Sequence, residues 1–467
     1  MSTVIDPNSV VFLMAESRNQ PMHVGGLQLF EAPPDAAPGF IRAAYERALA
    51  TDPVSPLFLR RPQRLIPGVG PWTWGVDADI DLEHHVRHSA LPQPGRIREL
   101  LALVSRLHSV VLSRDRPLWE THVIEGLADG RFAIYTKLHH SLVDGISAMK
   151  LLQRSLSPDP DERDMPFPFE ARSRHPTLGS GTPTPAATPD LVRAARSGLA
   201  MTAEAAGLPA AVLRTLNRSA RGEAAAISLG APRSPFNVPI TGARRFAADS
   251  WSLERLRAIA AASGTTLNDV VLAMCGGALR HYLLDLGALP DASLVSMVPV
   301  GLPARSAASV ARHGGNAVGS VIVKLATDTD DPAERLASIS ASMRSSKEAL
   351  GAMSPMQILA MSAIGMAPAL ALPALGLDRF VPPPFNLVIS NVPGADAPQY
   401  FNGARMTDIY PVSIPFRGNA LNITCNSYAD AMGFGLIGCR RAVPSLQRIL
   451  THLDQEVKAL ENAAGLS

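Results

Sequence analysis

Eight prolines fall between Ser157 and Asp190, in a run (SPDPDERDMPFPFEARSRHPTLGSGTPTPAATPD) with almost no apolar periodicity. Proline fixes φ and has no N–H to give to a helix or an inner strand, so this run reads as an extended, stiff connection rather than part of a core. The chain is thereby divided. Leu191–Arg221 returns to an Ala-rich helical composition, and a second turn-rich run, PRSPFNVPITGARR, follows it. The boundaries drawn on this basis are a first domain over 1–157, a crossover with a helix over 158–230, and a second domain over 231–467. Both flanking parts alternate strand and helix. In the first, Thr121–Leu127 and Arg131–Leu138 flank Ala128-Asp129-Gly130, a strand, tight turn and strand, and a helix is expected over Ile146–Leu156. In the second, helices are expected over Ser252–Ala262 and Leu267–Leu286. Strands are expected over Ser293–Val300, Ser320–Leu325, Phe385–Ser390, Ala420–Cys425 and Gly433–Ile437. The fold class is α/β, with two domains of similar size and a cleft between them.

With 467 residues, 46% of them hydrophobic and 18% charged, the chain is long and apolar enough to bury two sizeable cores. Its formal charge of +2 gives no reason to expect nucleic acid as a partner. Cys275, Cys425 and Cys439 cannot build a disulfide framework or, alone, a metal site. The first ten residues, MSTVIDPNSV, carry no basic segment ahead of an apolar one, so a cytoplasmic location is expected. The most lipid-like stretch is Ala349–Leu377, which has no charge. Pro355, Pro368 and Pro373 break it as a single spanning helix. It reads either as short buried helices or as a surface that touches a membrane or lines a tunnel for an acyl chain, and the sequence leaves both open.

The chemistry concentrates where the Arg131–Leu138 strand ends, in His139-His140-Ser141-Leu142-Val143-Asp144-Gly145. Side chains at a strand end before a helix start face a cleft, and a histidine there can take a proton from a hydroxyl near neutral pH. Asp144, at the helix start, suits fixing the loop through backbone N–H groups, and Gly145 is expected to permit a turn that a Cβ would obstruct. Two rival constellations are weaker. His84, His85 and His88 have the i and i+4 spacing of metal ligands on a helix, yet no general base and no second ligand cluster accompany them, so no metal is assigned. Ser147-Ala148-Met149-Lys150 matches a serine-nucleophile motif, but no lysine begins the K-T-G strand that such enzymes need.

HHSLVDG matches the H-H-x-x-x-D-G signature of the CoA-dependent acyltransferase superfamily. Further segments are similar to those of bacterial wax ester synthase/diacylglycerol acyltransferases. They are Pro21-Met22-His23-Val24-Gly25, Pro117-Leu118-Trp119, Pro235-Phe236-Asn237 with Arg244-Arg245, Asn268-Asp269-Val270, Gly315-Asn316-Ala317-Val318-Gly319 and Ser390-Asn391-Val392-Pro393-Gly394, in family order over about residues 5 to 440. The resemblance implies two chloramphenicol acetyltransferase-like domains with a channel at their interface. It implies His140 as general base, His139 as support for the loop, Asp144 as mainly structural, and Asn268 as a group reaching the reacting centre from the second domain. Gly145, Glu16, Pro117, Leu118, Trp119, Asp269, Ser390 and Asn391 are implied as substrate-binding or channel-shaping residues. Arg305 is a candidate partner for Asp144.

The implied reaction moves a long-chain acyl group from acyl-CoA to a diacylglycerol or long-chain alcohol, with no cofactor beyond these substrates and no acyl-enzyme. Peripheral contact with the inner membrane or a lipid droplet goes with such substrates. Two other readings stand beside it: an O-acyltransferase of the same superfamily that takes its donor from acyl-carrier protein, and a non-catalytic lipid-binding relative.

Overall fold

The computed structural model describes residues 3–66, 69–171, 230–301, 318–351 and 380–466, with the single positions 353, 357, 358, 369 and 376. The Pro-rich crossover beyond Ala171, the helix expected over Leu191–Arg221, Arg305, Gly315–Ala317 and most of Ala349–Leu377 lie outside the described residues.

In chain order the first part runs β1 (Thr3–Val4), α1 (Pro7–Ala15), β2 (His23–Glu31), α2 (Phe40–Leu49), β3 (Arg60–Ile66), β4 (Val69–Val76), α3 (Leu82–His85), β5 (Val86–Ala90), α4 (Ile97–His108), β6 (Trp119–Glu125), β7 (Phe132–His139) and α5 (Gly145–Gln153). The second runs β8 (Arg244–Ser252), α6 (Leu253–Ser263), α7 (Leu267–Asp285), β9 (Val295–Gly301), β10 (Val318–Lys324), α8 (Pro332–Gly351), β11 (Leu387–Val392), β12 (Tyr400–Phe401), β13 (Ala404–Val412), β14 (Leu421–Tyr428), β15 (Ala431–Cys439) and α9 (Arg448–Ala463). The strands and helices expected on described residues are present within a few residues of their expected ends, because each rests on a strong alternation or a helical apolar stripe.

Two six-stranded sheets carry the fold, in the orders β12-β13-β2-β7-β6-β5 and β10-β9-β11-β14-β15-β8, and a small sheet β1-β4-β3 flanks the first. One segment crosses the boundary drawn at residue 231. β13 comes from the last part of the chain but runs antiparallel to β2, with Val412 opposite Gly25 and Met406 opposite Phe30. Residues 400–412 therefore complete the first sheet, and 231–467 is not a self-contained domain. The physical reason is the free edge of β2, whose N–H and C=O groups require a partner that local sequence does not reveal.

The seam between the sheets is built from ordinary backbone needs. β8 is an edge strand, and its outward N–H groups are taken by helix α4: Phe246 N donates to Ser105 Oγ (2.8 Å) and Arg244 N to Ser109 Oγ (2.9 Å). Those hydroxyls in turn donate to Leu101 O and Ser105 O, each at 2.6 Å, so these two edge N–H groups and the hydroxyls that take them are all partnered. Behind the second sheet lies α7, in which 13 of 19 residues are buried, so it is apolar nearly all round. A Cβ at Gly277 would strike the Arg335–Glu456 pair, and one at Gly26 would press on the Leu152 side chain of α5, which would have to shift. Gly26 thus lets α5 lie close on β2, which sets the height of the loop that precedes it. Cys275, Cys425 and Cys439 are free and buried. No single helix among the described residues is long and apolar enough to cross a membrane.

Candidate active site

His139 is the last residue of β7 and stands opposite His23 on β2. The chain then turns sharply, with Leu142 N donating to His139 O (2.9 Å), before α5 begins. Asp144 caps that helix: its Oδ1 accepts from Ser147 N at 2.6 Å. The backbone of His140 is pinned by donation from its N to Met22 O (2.8 Å), and its ring stacks on Phe12 of α1 at 4.0 Å between centroids. Nδ1 of His140 is buried without a hydrogen-bond partner, and no hydrogen bond among the described residues occupies Nε2. Burial pulls the His140 pKa down to about 4, opposed first by the ring's contact with its own backbone and then by the negative charge of Asp144. At neutral pH His140 is an uncharged imidazole, a proton acceptor.

His139 has its tautomer fixed by its surroundings. Nδ1 accepts from the Ser141 backbone N–H (3.1 Å), with Ser141 Oγ at 2.7 Å, so the ring proton sits on Nε2, 3.3 Å from Glu16 Oε1. Glu16 is almost fully buried, its side chain 2% exposed. It also accepts from Met22 N (3.3 Å) and from Arg114 Nε and Nη2 (3.3 and 3.1 Å). Burial favours its neutral form, but the His139 ring N–H, the Met22 N–H and the charge of Arg114 together hold its pKa below the ordinary carboxylate value. The chain Arg114, Glu16, His139 therefore fixes the residue before His140. Beneath it, His23 Nε2 donates to His108 O, Tyr135 OH donates to His108 Nδ1, and His108 Nε2 donates to Ser413 O, just past the end of β13.

From the second sheet, Asn268 stands in the first turn of α7, and Asn391 Nδ2 on β11 donates to Asn268 Oδ1 at 3.5 Å. Ser390 faces the opposite side of β11, with Val388 and Val392. Those two valines share an apolar cluster with Val143 and Ile146, which flank Asp144, so the His140 loop and this face of the second sheet border the same seam. No hydrogen bond among the described residues joins the His140 group to the Asn268 group.

Several expected substrate contacts have other duties. Glu16 faces His139 rather than open space. Asp269 completes a capping box, accepting from Thr266 N (2.9 Å), and also accepts from Ser340 Oγ (3.2 Å). Pro117 and Leu118 are buried, and Leu118 O accepts from His139 N (2.9 Å). Trp119 is wholly buried, donates to Phe58 O (2.8 Å) and stacks on His85 and Phe169. The expectation for Gly145 is corrected: its φ is not positive and a Cβ there would meet nothing within 4 Å. Space, not backbone strain, lies in front of it. The histidine triplet does not share a helix face, because α3 ends at His85 and His88 lies on β5, 3.1 Å from Glu125 Oε1. A surface cavity of about 550 Å³, lined by Trp251, Arg255, Thr451 and Asp454 among others, contains none of these residues. Phe12, Arg114 and Ser141 were not legible in the sequence. Only Ser141 sits inside the motif, and no local signal links Phe12 or Arg114 to it.

Two family models match the chain: the wax ester synthase/diacylglycerol acyltransferase catalytic domain over residues 5–271, and the WS/DGAT C-terminal domain over residues 314–461. A Mycobacterium tuberculosis H37Rv protein named "Probable diacyglycerol O-acyltransferase tgs2" is 48% identical over 464 residues, covering 98% of this chain and 99% of its own. The solved wax ester synthase/diacylglycerol acyltransferase from Marinobacter aquaeolei VT8 superposes with a TM-score of 0.77 at 42% identity, covering 99% of this chain and 100% of its own. The starter condensation domain of rhizomide synthetase shares the fold alone, at TM-score 0.58 and 13% identity, over 99% of this chain and 94% of that one.

Proposed function

Since the chain belongs to the wax ester synthase/diacylglycerol acyltransferase family, we propose that it transfers a long-chain acyl group from acyl-CoA to the hydroxyl of a diacylglycerol or fatty alcohol, with His140 as general base. The observation that carries this reading is the uncharged His140, held by Met22 O, Phe12 and the capped helix, with Nε2 as its free nitrogen. The acceptor O–H gives its proton to Nε2 as its oxygen attacks the thioester carbonyl carbon. The C–S bond then breaks, and the imidazolium returns the proton to the departing CoA thiolate. Acyl group, proton and electron pair all balance, and no acyl-enzyme is formed. A positioned base of this kind contributes roughly 10²–10⁴ in rate, and one oxyanion donor about 3 kcal/mol more. Asn268 is our candidate for that donor. Asn391 Nδ2 donates to its Oδ1, which leaves its own NH₂ to serve another acceptor. Arg114, Glu16 and His139 are positioning residues that hold the turn. Donor and acceptor approach along the seam between the sheets, and the protein works in the cytoplasm at a lipid surface.

The test is thiol release from palmitoyl-CoA with hexadecanol, with diacylglycerol and with no acceptor. The wild-type protein is expected to release thiol only with an acceptor, and His140→Ala to abolish release while melting like the wild type. Near wild-type turnover by the folded variant overturns the assignment of the base. Faster turnover with acyl-carrier protein than with acyl-CoA changes the donor instead.

A further inference from the structure

Arg244, the first residue of β8, is 4% exposed, and no carboxylate pairs with it among the described residues. Its side chain donates to backbone carbonyls alone: Nη1 to Thr241 O and, at 3.5 Å, to Ala243 O, and Nη2 to Asn19 O at 2.9 Å. Burial pulls its pKa down to about 10, so it is still charged at neutral pH. A buried guanidinium without a counter-ion is costly, and an apolar side chain of similar volume would fill the space without that cost. Nor does the seam need the guanidinium at this edge, since Ser109 Oγ takes the backbone N–H of Arg244. Its presence asks for a duty other than packing.

That duty is visible at Asn19, which lies in a tight turn between α1 and β2. Ser17 N donates to Gln20 O (3.1 Å) and Gln20 N to Ser17 O (2.9 Å), with Arg18 and Asn19 at the tip. The second half of the chain meets this turn at three points. Arg244 takes Asn19 O, Arg417 N donates to Gln20 Oε1 (2.7 Å), and Gly242 is so close that a Cβ on it would lie 2.8 Å from Arg18 O. Gln20 Nε2 in turn donates to Ala15 O at the end of α1 (2.9 Å). The two ends of the turn lead to the two histidines. Glu16, one residue before it, faces His139; Met22, two residues after it, donates from N to Glu16 Oε1 and accepts at O from His140 N. Asn19 stands three residues from each, so a shift at the tip is carried to both.

We propose that Arg244 is a positioning residue for the base: its guanidinium bridges β8 and the 17–20 turn, and through that turn it sets Glu16 and Met22, which hold His139 and His140. The fork of the guanidinium suits this task, because one nitrogen anchors on its own loop while the other reaches the turn, and a single ammonium offers only one point. The inference rests on the reading of His140 as general base and ties that base to the second sheet.

The experiment measures thiol release from palmitoyl-CoA with hexadecanol, thermal unfolding, and amide hydrogen exchange over residues 13–23 and 139–145, all in the full-length protein. Arg244→Met is expected to melt within a few degrees of the wild type and to exchange faster in both segments. Its kcat should fall by about tenfold to a hundredfold, with KM for acyl-CoA within about twofold. Arg244→Lys is expected to fall between the two. Gly242→Ala, which pushes on Arg18 O and removes no charge, is expected to change kcat and exchange in the same direction, and it decides alone if Arg244→Met does not fold. Combined with Glu16→Gln, the loss caused by Arg244→Met is expected to shrink, because both changes act on one turn. Losses that multiply instead, a folded variant with kcat within about twofold of the wild type, or unchanged exchange at 139–145 each overturn the proposal. Wild-type turnover by His140→Ala overturns the assignment of the base, while faster exchange at 139–145 in Arg244→Met leaves the positioning role standing.

Discussion

At pH 5 an ordinary histidine, with a pKa near 6.5, is only about 3% neutral, whereas one with a pKa of about 4 is about 90% neutral. His140 has the second kind of environment: its Nδ1 is buried without a partner, and the ring is packed on Phe12. If its neutral form is the base, kcat/KM at pH 5 should lie within about 10% of its neutral-pH value, some thirtyfold above what an ordinary histidine would allow. The acid limb of the kcat/KM profile should fall near pH 4. Asp144→Asn sharpens the test, since asparagine caps a helix about as well as aspartate but carries no charge. Removing the one charge that opposes the lowering should push the limb further down. The assay quantifies free CoA chromatographically, with the fold checked in each buffer by thermal unfolding. Stability changes in the same window and with a definite sign. The unfolded chain binds the His140 proton below about pH 6.5 and the folded one only near 4. The full stability of neutral His140 is therefore present above 6.5 and is lost as pH falls toward 4, by at most about 3 kcal/mol and less where water still reaches the ring. An acid limb at 6.5, or one that Asp144→Asn moves upward, refutes the reasoning.

Glu16→Gln keeps the shape of the buried acceptor and removes its charge, and should cost about 1–3 kcal/mol at pH 7 in thermal unfolding, because Arg114 keeps some water. The Glu16 pKa is lowered in the fold, so the contribution of its charge is present above the unfolded value near 4.5 and fades as pH falls through the folded value. The gap between wild type and variant should narrow in acid, and a constant gap from pH 7 to pH 3 would count against an ionised Glu16. Gly145→Ala should raise the unfolding midpoint by about 0.4–1 kcal/mol worth of stability, since the new Cβ meets no atom in the helix's first turn. A lowered midpoint would mean that the glycine is required by the backbone after all.

The elements that local pattern can carry were legible in the chain. β6, β7 and the helices α5 to α7 follow from alternation, turn residues and apolar stripes over short windows, and HHSLVDG named the chemistry because its residues are neighbours in sequence. Asp144 as a helix cap follows from the same kind of adjacency. Interactions across long separations were invisible. β13 joins β2 across almost the whole chain, and nothing in Ala404–Val412 says which edge it will fill. Phe12 meets His140, and Arg114 meets Glu16 beneath His139, only because α1, the loop after α4 and the end of β7 converge in space. Trp119 and Asp269 look functional in a motif, but their place in the fold makes one a core aromatic and the other a capping carboxylate. Residue types and spacing, then, determine which reaction a chain like this is equipped for. Burial and long-range pairing decide which histidine is neutral, what holds it, and which way the helix beside it faces. Desolvation and hydrogen bonding depend on neighbours in three dimensions rather than neighbours along the chain.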